Sequence, residues 1–461
     1  MSRSLPLILA VALFMENMDS TVISTALPAI AQDIGTSPVA LKLALTSYLV
    51  SLAIFIPVSS WMADRFGAKQ VFRIAIAVFL LGSIACAAAN SLEAFVAARF
   101  LQGMGGAMMT PVGRLLLVRS TPKSDLVNAM AWLTIPGLLG PMAGPPVGGF
   151  LTTYFSWHWI FLINLPIGIA GILLAGRFLP EIVPGERRLM DWCGFALAGT
   201  AAAGVIFGLS VISLPALPPI AGTAALATGI AAAIAYLSHA RRSANPLLDP
   251  SIFSVPSFRA AISALTLFRI GTGATPFLLP LLFQLSFGMT PFQSGMTTFI
   301  GAGGAIIMKF SAKPILSRFG FRKTLTFAAV AAGIIIAASS LFTDATPHAV
   351  LLGVLLAGGL TRSLFFTGSN ALVFADLDNA RVGQATAIVS VAQQVSVALG
   401  VALAGITLEL SSLVTGDTLT RMDFAIAFVV VGLVTFSSAL VLFRLPGGVG
   451  AEISGERRQG A

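Results

Sequence analysis

Charge is what this sequence has least of. Only 10% of its 461 residues are Asp, Glu, Lys or Arg, and 56% are hydrophobic. Ordinary soluble domains carry about 25% charge, so this chain cannot clothe a soluble globule in solvated side chains. Histidine (3) and cysteine (2) are as scarce, which leaves no metal-ligating cluster and no disulfide framework to draw. Cys86 and Cys193 both fall in apolar runs and read as small packing residues. No glycine-rich phosphate loop follows a strand, and no polar segment is long enough for a soluble catalytic or nucleotide-binding domain. Enzyme chemistry and ATP use therefore find no support in this chain. The short apolar/polar alternation of a membrane β-barrel is absent as well.

What remains is apolar runs of membrane length. About 20 mostly apolar residues cross the ~30 Å hydrocarbon core, and runs bounded by charged or Pro/Gly-rich breaks give fourteen spans. They cover 5–28, 42–62, 71–90, 94–118, 126–152, 158–179, 192–214, 218–238, 259–286, 291–312, 324–343, 348–375, 384–410 and 423–444. The expected class is an all-α polytopic membrane protein. The first run is too long and too polar for a cleaved leader and is expected to stay as the first span.

The few charges are unevenly placed. Alternate loops collect Arg65, Lys69, Arg73, Arg119, Lys123, Arg187, Arg188, Arg241, Arg242, Arg318, Arg322, Lys323 and Arg381, and the tail adds Arg457 and Arg458. The opposite loops offer Lys42 and Arg421. This bias puts both termini of a multi-pass membrane protein in the cytoplasm. It also accounts for the net charge of +9 without a nucleic-acid partner.

An internal repeat is legible. Arg65-Phe66-Gly67 recurs as Arg318-Phe319-Gly320 at an offset of 253 residues, close to the 254 between the starts of the first and ninth spans. Two six-helix halves, 1–180 and 259–444, then flank two inserted spans within 181–258, with a tail at 445–461. Parallel repeats of this kind place a transport site between the halves near the midplane.

The first span carries the costliest residues. Glu16 and Asp19 lie three apart in an apolar run and share a helix face with Asn17, Ser20, Thr21 and Ser24. A carboxylate at membrane depth must be paired, protonated or wetted, so this face should border a polar cavity. Asp19 lies about 13 Å inward from Pro28, and Arg99 in the fourth span about 8 Å inward from Glu93. These depths permit an Asp19–Arg99 pair, either a proton switch or a permanent structural pair. No partner for Glu16 is evident. Arg269 and Arg362 fall near the midplane of the second half, whereas Arg114 and Lys309 lie near helix ends and can snorkel.

The loop Ala63-Asp64-Arg65-Phe66-Gly67-Ala68-Lys69 resembles the major facilitator superfamily signature G-x-L-A-D-R-x-G-R-K, with Ser60 and Ala68 departing from it. Arg99-Phe100-Leu101-Gln102-Gly103 looks like that family's proton-linked motif. The run Gly140-Pro141-Met142-Ala143-Gly144-Pro145-Pro146-Val147-Gly148-Gly149 looks like its antiporter motif. The string Ser156-Trp157-His158-Trp159 through Asn164 to Gly168, with Asp19-Ser20-Thr21, resembles the fourteen-span drug:proton antiporters of the EmrB/QacA type, and within them the MdtD-like multidrug transporters.

The resemblance implies a major facilitator fold in the inner membrane and proton-coupled export by alternating access, driven by the proton gradient with no cofactor; the expected partners are lipid, protons and a small-molecule substrate, with accessory efflux proteins left open. Uptake of a small organic anion is the alternative direction, and a receptor or enzyme the alternative class. Glu16, Asp19 and Arg99 would couple protons. Arg269, Arg362, Asn17, Gln102, Asn370, Gln393 and Gln394 would line the substrate site. Asp64, Arg65, Gly67, Lys69, Gly140, Pro141, Gly144, Gly148, Gly149, Arg318 and Gly320 would serve gating. His158 and the neighbouring tryptophans are expected as anchors at the outer interface. The family's cation exporters often place further acids in the second half; here none lies deep in spans nine to twelve, which argues against a purely cationic spectrum, and Arg269 and Arg362 would either suit a carboxylate-bearing substrate or serve packing or gating.

Overall fold

A computed structural model describes residues 4–122, 125–181, 189–212, 218–378, 381–416 and 419–444. Among the described residues the regular structure is helical throughout. In chain order the helices are α1 (Ser4–Val22), α2 (Leu27–Asp33), α3 (Lys42–Phe55), α4 (Ser59–Phe66), α5 (Ala68–Ala87), α6 (Leu92–Ser120), α7 (Leu126–Tyr154) and α8 (Trp159–Leu162). There follow α9 (Asn164–Phe178), α10 (Trp192–Val211), α11 (Pro219–Ala240), α12 (Pro256–Leu281), α13 (Pro291–Ala338), α14 (His348–Val373), α15 (Val382–Thr415) and α16 (Arg421–Phe443).

Eleven stretches among the described residues are long and apolar enough to cross a membrane. One of them is α13, which Gly320 divides into two spans at φ +72°. With α6 and α7, of 29 residues each, the fourteen spans are complete. Gly67 makes the corresponding turn in the first half at φ +87°. Both positions need the left-handed backbone that glycine adopts without steric cost. Local chemistry sets other boundaries: the Ser91 hydroxyl accepts from Ala94 N–H at the start of α6, and Thr290 and Gln293 form a reciprocal capping box ahead of Pro291.

In lipid, helices associate through close fit more than through water exclusion, and small residues mark the seams. α1 lies along α7, where a Cβ at Gly144 would stand 2.0 Å from Thr21 Oγ1 and one at Gly148 2.2 Å from the Val22 carbonyl oxygen. The inserted helices α10 and α11 meet where a Cβ at Gly204 would fall 2.6 Å from Gly229 Cα, and α10 packs on both α3 and α15. The halves meet along α7–α13 and α3–α15.

The apolar cores are asymmetric between the two ends of the bundle. At the end bearing Pro28, Trp157 and Pro291, one cluster runs continuously across both halves, from Val22, Leu27 and Phe95 to Phe277, Phe283 and Phe428. Towards the opposite end, where the Gly67 and Gly320 turns lie, each half keeps its own core: Leu13, Phe72 and Phe79 in the first, Phe268, Leu325 and Phe365 in the second. Polar contacts clasp the same end as the shared core. Lys42 Nζ donates to Glu409 Oε2 at 2.5 Å, Gln284 Nε2 to the Thr25 carbonyl at 3.0 Å, and Phe292 N–H to Thr153 Oγ1 at 3.0 Å.

Two expectations change here. Lys42, read as a loop charge, opens α3 with no exposed surface and pairs with Glu409 across the halves. Trp157, read as an interfacial anchor, is buried against Phe95 and Phe161, and its indole N–H reaches Asp33 at 2.9 Å. Trp159 stays exposed. Of the basic residues that set the expected orientation, Lys123, Arg187, Arg188, Arg457 and Arg458 lie outside the described residues, as does the 445–461 tail.

Candidate functional site

The first half contains a sealed polar knot. Asp19 on α1, Arg99 and Gln102 on α6, Ser83 on α5 and Asn164 at the start of α9 are all buried. Arg99 Nη1 donates to Asp19 Oδ2 at 2.7 Å, while Gln102 Nε2 and Asn164 Nδ2 each donate to Oδ1 at 2.8 Å. Every one of these partners donates, which is the arrangement an ionised carboxylate requires. Arg99 Nη1 also reaches Gln102 Oε1 at 2.5 Å, and Gln102 Nε2 reaches Ser83 Oγ at 2.9 Å. The guanidinium carbon lies 4.3 Å from the Tyr48 ring centroid, so an aromatic face covers the cation on the α3 side.

The glycines of α6 let the knot close. A Cβ at Gly103 would fall 2.7 Å from the Tyr48 carbonyl oxygen, and one at Gly105 2.4 Å from Phe79 N. Backbones that close place short polar side chains within reach of one another. Arg99 Nε nonetheless has no hydrogen-bond partner, nor does Asn164 Oδ1. The knot is therefore satisfied around the carboxylate but not around the guanidinium.

Glu16 sits one turn from Asp19 in a different setting. Contrary to the expectation that it lacks a partner, its Oε2 accepts from Thr110 Oγ1 at 2.5 Å. Arg114, one turn further along α6, is exposed, and its charge acts on the carboxylate. Glu16 is half-buried and its neighbour Ser20 exposed, so this part of α1 opens to the space between the halves, away from the clasped end. Asn17 turns back to its own helix, donating to the Leu13 carbonyl at 2.7 Å.

The second half contributes cations. Arg269 on α12 is 7% exposed, and its Nη1 is buried without a hydrogen-bond partner. Its guanidinium carbon lies 5.1 Å from the Phe366 centroid. Arg362 on α14 lines a cavity with Thr272, Thr275 and Thr298. Asn370 and Gln393 are exposed and Gln394 half-buried. Gln102, expected in the substrate lining, lies in the Asp19 knot.

The residues expected to serve gating fall at two places. Asp64 Oδ1 accepts from Arg119 at 2.8 Å beside the Gly67 turn; Arg65 and Arg318 are exposed, and Lys69 is half-buried. Gly140, Gly144 and Gly148 face α1, and Pro141 is half-buried within α7. Gly149 faces the other half, where a Cβ would stand 2.4 Å from the Pro291 carbonyl oxygen.

Ser83, Thr110, Tyr48 and Asn164 were not singled out from sequence. Asn164 had a signal: an amide inside an apolar run must find a partner at membrane depth. Small hydroxyls such as Ser83 and Thr110 are common in helix seams and give none.

Comparison with known proteins places this architecture. The family model described as Major Facilitator Superfamily matches residues 9–248 and 261–460. The chain is 37% identical over 409 residues to "Probable transport protein HsrA" of Haemophilus influenzae, covering 88% of each chain. It is 35% identical over 453 residues to "Putative multidrug resistance protein MdtD" of Yersinia enterocolitica, covering 96% of this chain and 95% of the relative. A solved D-xylose-proton symporter shares the fold with a TM-score of 0.70 at 15% identity, over 97% of this chain and 98% of that one. The chain belongs to the Major Facilitator Superfamily and is a multi-pass membrane transporter, not an enzyme.

Proposed function

We propose that this transporter is a proton-coupled antiporter that exports small molecules, in the manner of multidrug efflux, across the inner membrane with both termini in the cytoplasm. The observation that carries the reading is Asp19: a carboxylate at membrane depth held by three donors from two other helices, one of them a buried arginine. Such a site changes protonation only if the helices holding it move. The clasped end corresponds to the outside, so the described conformation faces the cytoplasm with Asp19 ionised after proton release. Opening the outer end would draw α1 from α6, part Asp19 from Arg99 and let a proton load from outside. On return, Arg99 re-engages the carboxylate and expels the proton. Glu16, about 4.5 Å nearer the cytoplasm along α1 and beside the open space, is the relay on the exit path.

The relative named for multidrug resistance supports efflux as the direction. The test is export from proteoliposomes under an imposed pH gradient. Asp19→Asn is expected to abolish gradient-driven export while leaving substrate exchange without a gradient, and Glu16→Gln to slow it. Unchanged gradient-driven export in both variants would remove the proton assignment.

A further inference from the structure

We propose that the second half holds a pocket for the carboxylate head of an amphiphilic organic anion, formed by Arg269 and Arg362. The inference rests on the export reading, whose substrate class it names.

The first support is a charge asymmetry written in the sequence. Helices α12, α13 and α14 contain no aspartate or glutamate, yet carry Arg269 and Arg362 at membrane depth. Among the described residues no carboxylate pairs with either. Burying a cation without a counter-charge costs several kcal/mol, and no carboxylate on these helices offsets it. In the first half the opposite holds, since Arg99 is matched by Asp19. The cations of the second half therefore lie on helices that carry no acid to match them, and Glu16, the acid that borders the central space, stands on α1 and bonds Thr110.

Register sets the two arginines at neighbouring depths. α12 and α14 run in opposite directions, and the Phe268 and Phe365 rings stack with centroids 3.7 Å apart and planes within 5°. That contact sets residue 268 level with residue 365. Arg269 is thus beside the stack, and Arg362 lies about 4.5 Å towards the clasped end, an offset two extended guanidinium side chains can span. Phe366 holds the Arg269 guanidinium from one side, and buried Nη1 keeps its donors without a hydrogen-bond partner.

The cavity beside Arg362 is about 80 Å³, room for a carboxylate and a few carbons. Thr272, Thr275 and Thr298 supply hydroxyls, and Leu279, Ile336 and Phe428 supply apolar wall. Thr275 Oγ1 is likewise buried without a hydrogen-bond partner. Towards the open end, Thr367 and Asn370 are exposed on α14, so the body of the ligand extends into the central space. A planar carboxylate matches paired guanidinium donors in geometry and in charge, whereas an organic cation at this depth meets two like charges.

The experiment measures equilibrium binding to the purified full-length chain in detergent, at fixed pH and without a gradient. The probes are 2-naphthoate, 2-naphthamide and 2-naphthylmethylammonium, which share one apolar body and differ in head charge. Naphthoate is expected to bind about tenfold or more tighter than the amide, and Arg269→Gln and Arg362→Gln should each remove that preference. Arg269→Lys, which keeps the charge, should retain part of it and stands in should Arg269→Gln fail to fold. Tighter binding of the ammonium, or an anion preference that survives both glutamine substitutions, would overturn the pocket. If the parent protein shows the preference but no gradient-driven export, the export reading fails alone. If the preference is lacking while gradient-driven export is intact, the pocket fails alone.

Discussion

Replacing Glu409 with glutamine removes the carboxylate that faces the Lys42 ammonium across the joint between the halves. Lys42 has no exposed surface and Glu409 retains 12%, so the pair is nearly dry. Its stem lies against Gly405, where a Cβ would fall 2.3 Å from Lys42 Cδ; the lysine occupies the space a side chain would fill. Breaking one partner of a buried pair costs about 3–5 kcal/mol, and the partial exposure of Glu409 argues for the lower figure. If most of that loss falls on the clasped state, about 3 kcal/mol shifts the ratio of clasped to opened molecules roughly a hundredfold. The assay is a spin-label distance between Ser37→Cys and Val414→Cys, both exposed at this end, in a Cys193→Ser background because Cys193 is exposed and free. Glu409→Gln should add a longer-distance population, and the apolar pair Lys42→Met/Glu409→Leu should restore the clasp. A Glu409→Gln distribution identical to the parent's would refute the reasoning.

Other substitutions separate the seams within a half from the joint between halves. Gly149→Val should push α7 off Pro291 and favour the opened outer end in the same distance measurement, whereas Gly148→Val, which meets Val22 within one half, should lower thermal stability by about 1–3 kcal/mol. Asn164→Leu removes one donor to Asp19 and should cost about 1–3 kcal/mol and slow gradient-driven export, with Asn164→Gln retaining more. Asp191, outside the spans, caps α10 and bonds His239 at 2.7 Å. Burial pushes its carboxyl up, but hydrogen bonds from Gly194 N–H, His239 and Leu247 N–H outweigh that and leave it below the usual range. A depressed carboxyl contributes stability above its unfolded value of about 4 and loses it as pH falls through the folded one. Thermal melts should therefore show Asp191→Asn less stable than the parent at pH 6, with the gap closing on acidification below about pH 4.

Much of the architecture was legible because the membrane makes helix length and charge placement informative. The turn at Gly67 and its repeat at Gly320 were readable from two Arg-Phe-Gly strings, and the depths of Asp19 and Arg99 permitted their pairing without fixing it. What failed to show was anything set by rotation of one helix against another. Thr110 reaches Glu16 because of how α6 faces α1, which spacing within either helix does not reveal. Lys42 looked like a loop charge because a residue at the end of a span can turn either way; Glu409, 367 positions later, turns it inward. Trp157 was misread for the same reason: it lies in the turn ahead of α8 and is directed inward to Phe95, Phe161 and Asp33, while Trp159, two residues on, is exposed.

The central claim is that Asp19 trades Arg99 for a proton when the outer end opens. Infrared difference spectroscopy between the parent and the Glu409→Gln variant, whose population is shifted towards the opened state, measures this directly, through the stretching band of a protonated carboxyl. The account predicts that the band appears in the opened protein and vanishes when Asp19→Asn is added. A spectrum without the band, or one that keeps it in the Asp19→Asn background, would contradict the account.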